Sequence, residues 1–241
     1  MTPQDAAKRA VGEAAAALVE DGMRLGLGTG STAAIAIEAI GRRVREEGLR
    51  VAGVPTSFAA ERLARQHGVP LLTLDTLGLE GLDPGVPALD LALDGADEVD
   101  GALDLTKGRG GAHTREKVVA ALARRFVVLA DPSKKVERLG TKMPVPVEVL
   151  PMATAAVARA LRDLGARPVL REGGGKDGPV VTDQGFWILD AHFPDGVADA
   201  AELDATLLYT PGVLDHGLFI GLATDVLIGT PEGTVEHLRR S

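Results

Sequence analysis

The chain has no cysteine, which excludes disulfides, thiolate nucleophiles and thiolate metal sites together. Aromatic residues are scarce, with one Trp, one Tyr and five Phe among many Ala, Leu, Arg and Pro; that bias suits a thermophile, and a GC-rich genome explains it equally. No apolar run reaches the roughly eighteen residues of a membrane span. No lysine or arginine block offsets the formal net charge of −8, which argues against nucleic acid or an anionic membrane surface as the main partner. The opening Met-Thr-Pro-Gln-Asp lacks the apolar core of a signal peptide, so a cytoplasmic location is expected. His67, His113, His192, His216 and His237 make no pair at metal-ligand spacing, and the acids from Asp94 onward lack the roughly twelve-residue pattern of a calcium loop. A magnesium site on Asp94 and Asp97 is conceivable, although the neighbouring lysines would compete for the same carboxylates.

What is present is a 241-residue chain, 45% apolar, long enough for one large domain or one and a half. It is organised around Lys107-Gly-Arg-Gly-Gly-Ala-His-Thr-Arg-Glu-Lys117, a glycine-rich turn with a cation in front of a helix. Gly108, Gly110 and Gly111 permit backbone conformations closed to other residues, and Val118, Val119, Leu122 and Ala123 give the helix its apolar stripe. A helix opening attracts anions through its free N–H groups and its dipole. Glu116 is therefore an unusual group to find there, although taken alone it merely suits a helix N-terminus. A second charged stretch, Asp94-Gly-Ala-Asp-Glu-Val-Asp100, follows the apolar run Leu89 to Leu93 and reads as the loop at the carboxyl end of a buried strand, where α/β proteins hold their sites. In isolation it reads as a solvated turn.

The spacing predicts a helix over residues 3–20, a strand from Met23 to Leu27, then a glycine turn and a helix to about Glu47. The turn satisfies Gly28-x-Gly30-x-x-Ala33, a loose dinucleotide fingerprint. The next strand, Arg50 to Val54, ends in Pro55-Thr-Ser57 with no acid to hold a ribose, so a nicotinamide cofactor is disfavoured. A small phosphate ester fits better, with Thr29, Ser31 and Thr32 offering hydroxyls beside helix amides; the plain alternative is a Ser/Thr helix cap. No Gly-Lys-Ser/Thr is present, so this is not a nucleoside-triphosphate loop. Residues 57–67 read as a helix, Leu71 to Leu74 as a short strand, and residues 78–87 as a loop. Leu103 to Thr106 is expected to pair back across a turn at Asp100-Gly101, and Phe126 to Ala130 is an apolar strand ending in Asp131-Pro-Ser-Lys134. Composition then shifts. A strand bracketed by Pro144, Pro146 and Pro151, helices at 153–164 and 199–208, and strands at Pro168 to Arg171 and Phe186 to Ala191 around a loop at 173–178 make a small α+β module. The expected architecture is α/β and discontinuous: a Rossmann-like, mostly parallel sheet domain at 1–135 plus 210–241, with a smaller α+β domain inserted at 136–209. No repeat or low-complexity tail is visible.

Taken together, Gly28-Thr-Gly-Ser-Thr-Ala33, Asp94-Gly-Ala-Asp-Glu98, Lys107-Gly-x-Gly-Gly-Ala112 with Thr114-Arg-Glu-Lys117, and Asp131-x-Ser-Lys134 resemble ribose-5-phosphate isomerase of type A. The resemblance runs through nearly the whole chain, including Val54-Pro-Thr-Ser57, Thr182-Asp-x-Gly185 and Gly217-Leu-Phe219. It implies interconversion of ribose 5-phosphate and ribulose 5-phosphate through an enediolate, in the non-oxidative pentose phosphate branch, with neither metal nor organic cofactor. It implies that Thr29, Gly30, Ser31 and Thr32 hold the sugar phosphate, that Asp94, Asp97 and Lys107 surround the reacting end, and that Glu116 moves the proton. Gly95, Ala96, Gly108, Arg109, Gly110 and Lys134 complete the implied substrate contacts, in a homodimer or a dimer of dimers. Arg109 stands where a glycine is common and is expected to point to solvent, with a strain cost if its φ is positive; His113 stands where an apolar residue is usual. The alternatives are a sugar-phosphate-sensing regulator and a deaminase or acyl-transfer enzyme on a similar scaffold.

Overall fold

The computed structural model describes residues 2–77, 86–175 and 177–240, so most of the loop expected at 78–87, and Lys176 of the loop at 173–178, lie outside the described residues. In chain order the first elements are α1 (Pro3–Ala17), β1 (Arg24–Leu27), α2 (Ser31–Glu47), β2 (Ala52–Pro55), α3 (Phe58–Gln66), β3 (Leu89–Gly95), β4 (Glu98–Val99), β5 (Leu105–Thr106), α4 (His113–Ala121) and β6 (Ala123–Ala130). Then follow β7 (Val145–Val149), α5 (Thr154–Asp163), β8 (Arg167–Leu170), β9 (Trp187–His192), α6 (Ala200–Leu208), β10 (Val213–His216), β11 (Leu218–Phe219), β12 (Asp225–Gly229) and β13 (Val235–Arg239). The chain forms two compact units: one from the residues up to Ala96, Arg115–Lys134 and Leu222 onward, the other from Asp97–Thr114 and Lys135–Gly221.

The first unit is built on a six-stranded sheet ordered β13-β12-β6-β3-β1-β2. Every pairing is parallel except that of β12 with β13. Parallel strands covered on both faces need continuous apolar runs, and Phe126 to Ala130 and Asp225 to Gly229 are buried at every position. Leu25, Leu27, Leu91 and Leu129 meet Ile37 and Ile40 of α2 and Val11 and Ala15 of α1 in one core. The second unit has a four-stranded antiparallel sheet, β10-β7-β9-β8, and a small three-stranded one, β11-β5-β4. Val145, Val147 and Val149 of β7 pack with Val157 and Leu161 of α5 and Leu203 and Leu207 of α6. The mostly parallel α/β sheet with added antiparallel sheets is the class expected, and β4 and β5 pair back across the Asp100-Gly101 turn as expected.

Local differences have local causes. The strand expected at Leu71 to Leu74 is a single bridge between Leu71 and Gly53, after which a 3₁₀ turn runs over Leu74–Leu77. Gly53 N–H donates to Pro70 O and Leu72 N–H to Gly53 O, but β2 ends at Pro55, whose missing N–H stops the ladder there. Leu122 and Ala123 are not the last turn of a helix: α4 ends at Ala121, Leu122 O accepts from Leu89 N–H, and Val118 is exposed. Pro211 to Gly221, expected with the first domain, supplies β10 and β11 to the second unit's sheets, while Asp225 to Gly229 lies in the parallel sheet. The edge strand β13 was not foreseen; its charged Glu236, His237 and Arg239 hide any alternation.

Asp225, buried at the head of β12, accepts from Arg125 Nη2 at 3.0 Å and Thr224 Oγ1 at 2.7 Å, and lies 2.7 Å from His237 Nε2. Burial alone would raise this carboxyl, but the hydrogen bonds from Arg125, Thr224 and His237 outweigh it and hold it below the usual carboxylate range. A folded value below the unfolded one gives stability that is full above about pH 3.9 and is lost as the pH falls through the folded value. Asp225→Asn is therefore expected to lose ~1–3 kcal/mol at pH 7, with the gap to the parent closing towards pH 3. Denaturant unfolding at the two pH values measures this, and a gap independent of pH contradicts it.

Candidate active site

Between β1 and β3 the connections of the parallel sheet change direction, β1 leading to β2 on one side and β3 to β6 and β12 on the other. Ligands of open parallel sheets bind outside the carboxyl ends at such a switch point. Gly28 and Thr29 leave β1 there, and Asp94 and Gly95 close β3, with Leu27 and Leu93 in register. Asp94 is 2% exposed, and its Oδ1 accepts from Thr29 N–H at 2.9 Å and Gly95 N–H at 2.7 Å. A Cβ on Gly28 would stand 2.4 Å from that same oxygen and 2.4 Å from Leu93 O. Only glycine admits this approach. Thr29 Oγ1 donates to Ser57 Oγ at 2.7 Å and lies 2.8 Å from Thr56 Oγ1, so β2's Pro-Thr-Ser segment joins the same edge.

Helix α2 opens beside these groups. Its N-cap is Gly30, which has no side chain to cap it, whereas Thr2, Ser57 and Asp199 accept from first-turn amides of α1, α3 and α6. The plain Ser/Thr cap is thus not what Thr29, Ser31 and Thr32 form, and α2 opens without a side-chain cap. Thr29, Gly30 and Ser31 border a cavity of about 340 Å³, with Ala59 and Arg62 of α3 among its other walls; Thr32 does not line it. Arg62 was not among the residues expected from sequence, which carries no local signal that places α3 beside the glycine loop.

Glu116 lies in the first turn of α4, the helix that runs into β6, and is 5% exposed, so it is not a solvated helix-end charge. Lys134 is half-buried in the 3₁₀ turn after β6. Burial raises the neighbouring Asp131 carboxyl, but the Ser133 hydroxyl and amide, Gln4 and the Lys134 charge together hold it below its usual range. Thr29 to Thr32, Asp94, Gly95, Ala96, Glu116 and Lys134 all belong to the first unit.

Asp97, Lys107, Gly108, Arg109 and Gly110 belong to the second. Asp97 N–H donates to Thr106 O at 2.8 Å, and Asp97 Oδ2 accepts from Arg109 N–H at 2.9 Å. Lys107 is buried, with Nζ 5.5 Å from the centre of the Phe219 ring and its N–H donating to Gly217 O at 2.8 Å. Arg109 is exposed as expected and carries no strain, since Leu103 (φ 62°) is the one non-glycine with positive φ among the described residues. The turn is made at Gly108 instead, at φ 102°, where a Cβ would lie 2.6 Å from His113 Nδ1. His113 thus fills the space beneath the loop, which is the use of the departure seen in the sequence. Its Nε2 is 3.9 Å from Glu148, a carboxyl that accepts from the hydroxyls of Thr114 and Thr182. Burial pushes the Glu148 carboxyl above its usual range, against those two hydroxyls and helped by the charges of Asp215 and Asp183. Sequence reading missed Glu148, which looks like one acid in an apolar strand. Among the described residues no cluster of three or more His, Asp or Glu is placed to hold a metal ion, and no helix is long and apolar enough to cross a membrane.

The switch point, the uncapped α2 and the buried Glu116 are those of an α/β enzyme for a small anionic ligand. Residues 52–233 match the family of ribose 5-phosphate isomerase A (phosphoriboisomerase A). Ribose-5-phosphate isomerase A of Thermosynechococcus vestitus is 52% identical over 92% of this chain and 90% of its own. The structure of ribose 5-phosphate isomerase A from Methanocaldococcus jannaschii superposes with a TM-score of 0.89 at 47% identity, covering 98% of this chain and 99% of that one. A D-ribose-5-phosphate isomerase in complex with phospho-erythronic acid gives 0.91 at 41% identity, over the full length of both chains. The chain belongs to the ribose 5-phosphate isomerase A family and is an isomerase; these relatives favour neither a sensing regulator nor a deaminase.

Because Gly28 meets Asp94 Oδ1 so closely, Gly28→Ala is expected to displace the carboxylate, costing ~1–3 kcal/mol of stability and most of the isomerase activity. Thermal unfolding and initial rates check this; a variant with parental rate shows that Asp94 tolerates the shift.

Proposed function

We propose that the chain interconverts D-ribose 5-phosphate and D-ribulose 5-phosphate, with Glu116 as the base. Family membership carries the reaction, and the burial of Glu116 in the opening turn of α4 supports its role. The Glu116 carboxylate takes the proton from C2 of the open-chain aldose, leaving an enediolate, and returns it to C1; the O2 proton passes to O1, so the atoms balance. Lys107 and Lys134 supply positive charge to the developing oxyanion, an interaction stronger in the transition state than with the neutral carbonyl. Asp94 and Asp97 hold sugar hydroxyls and assist the transfer between the two oxygens. The α2 amides with Thr29, Gly30, Ser31 and Thr32 take the phosphate, as uncapped helix openings do. Gly95, Ala96, Gly108, Arg109 and Gly110 contribute backbone donors and room. Two lysines do the charge stabilisation that a metal performs elsewhere, so neither metal nor organic cofactor is required. The reading carries a cytoplasmic location, a place in the non-oxidative pentose phosphate branch, and a homodimer or dimer of dimers.

Glu116→Gln is expected to fold and bind a non-isomerisable pentose phosphate while losing at least ~10⁴-fold in rate, the upper end for loss of a general base. Exchange of the substrate C2 hydrogen with deuterated water is the decisive readout: exchange within about tenfold of the parent puts the base elsewhere. The parental rate should also survive excess chelator, and activity lost to chelator and restored by magnesium would overturn the metal-free mechanism.

A further inference from the structure

Arg171 follows β8, and both sides of its backbone are fixed: its N–H donates to Ile188 O at 2.9 Å, and its carbonyl accepts from Val180 N–H at 2.8 Å. The guanidinium makes a two-point pair with Asp190 of β9, Nε to Oδ2 at 2.9 Å and Nη2 to Oδ1, both side chains being 16% exposed. A fork so held is pre-organised, and its remaining nitrogen, Nη1, has a definite direction. Nη1 donates to Gly108 O at 2.8 Å and to Arg109 O at 3.1 Å. Asp97, Arg109, Pro146, Arg171 and Asp190 border one cavity of about 130 Å³ in this unit.

In a trans peptide the carbonyl and the following N–H point opposite ways. A guanidinium that fixes Gly108 O therefore also fixes the Arg109 N–H, and that N–H donates to Asp97 Oδ2 at 2.9 Å. Gly108, at φ 102°, has no side chain that could set the orientation itself. We propose that Arg171 is a positioning residue for the isomerisation: locked to Asp190, it holds the Gly108 and Arg109 carbonyls so that the Arg109 N–H orients the Asp97 carboxylate. The inference rests on the role given to Asp97 under the proposed function.

The test is steady-state kinetics of Arg171→Ala, Arg171→Lys and Asp97→Asn, with unfolding curves for each. Since the proposed Asp97 assists proton transfer between the sugar oxygens as well as holding hydroxyls, Arg171→Ala should lower kcat by about 10- to 100-fold, with a smaller rise in KM. Arg171→Lys keeps the charge but loses the fork, and should fold like the parent with a kcat between the two. Guanidinium ion at non-denaturing concentration should raise the kcat of Arg171→Ala several-fold and leave the parent and Asp97→Asn unchanged. Adding Arg171→Ala to Asp97→Asn should cost little further rate, because the residue it positions is already gone. Parental kcat in either Arg171 variant, or a slow Arg171→Ala that guanidinium does not rescue, overturns the proposal. If Arg171→Ala does not fold, the kcat of Arg171→Lys decides. A fast Asp97→Asn instead overturns the role of Asp97, and so separates failure of that reading from failure of the Arg171 inference.

Discussion

The approach of the Gly28 backbone to the Asp94 carboxylate fixes the ligand edge of the first unit. Asp94 Oδ1 serves two amides, Thr29 N–H and Gly95 N–H, and no other residue type at position 28 leaves room for it. This one oxygen ties the turn after β1 to the end of β3 across the switch point of the sheet. Thr29, held by that oxygen, carries the hydroxyl that meets Thr56 and Ser57, and the next residue, Gly30 at φ 108°, is the N-cap of α2. Gly28 is thus needed for a close approach and Gly30 for its φ of 108°, neither for the dinucleotide fold that their spacing also permits.

Charge is concentrated inside the molecule in a way the net charge of −8 does not suggest. Asp94, Glu98, Lys107, Glu116, Glu148 and Asp225 are all buried. Two of these carboxyls are displaced in opposite directions. The donors around Asp225 outweigh its burial, so the ionised form is favoured in the fold. For Glu148 burial wins; the stability tied to it is full below the unfolded value and is lost as pH rises through the folded one.

The sequence made the parallel sheet legible because its strands are unbroken apolar runs of the kind only two-sided burial requires, as Phe126 to Ala130 illustrates. The segments that begin at Asp94 and Asp131 were legible because each ends a strand of that sheet, and turn chemistry at Asp100-Gly101 located the β4–β5 pair. The misses share a physical origin in tertiary pairing. Leu71 to Leu74 has strand composition but faces Pro55, which cannot continue the ladder; β13 is too charged to alternate. Arg171 and Glu148 were invisible for a further reason: their partners, Gly108 and Arg109 in one case and Thr114 and Thr182 in the other, lie far along the chain.

Three acids of the stretch from Asp94 to Glu98 share one physical habit, accepting hydrogen bonds from backbone amides. Asp94 takes those of Thr29 and Gly95; Asp97 takes that of Arg109; and Glu98, fully buried, takes those of Gly140 at 2.6 Å, Lys142 at 2.6 Å and Met143 at 3.1 Å. A solvated turn would leave these oxygens to water, and a magnesium site would need them for the ion. Instead each carboxylate pins a different loop, and the loop's peptide planes fix the carboxylate. Charge-assisted bonds of this kind are roughly twice as strong as neutral ones, so the cost of burying several acids close together is offset donor by donor. The amides hold Asp94 Oδ1 and Asp97 Oδ2 each within its own unit, so the position of either oxygen is set by the backbone around it and not by its side chain alone.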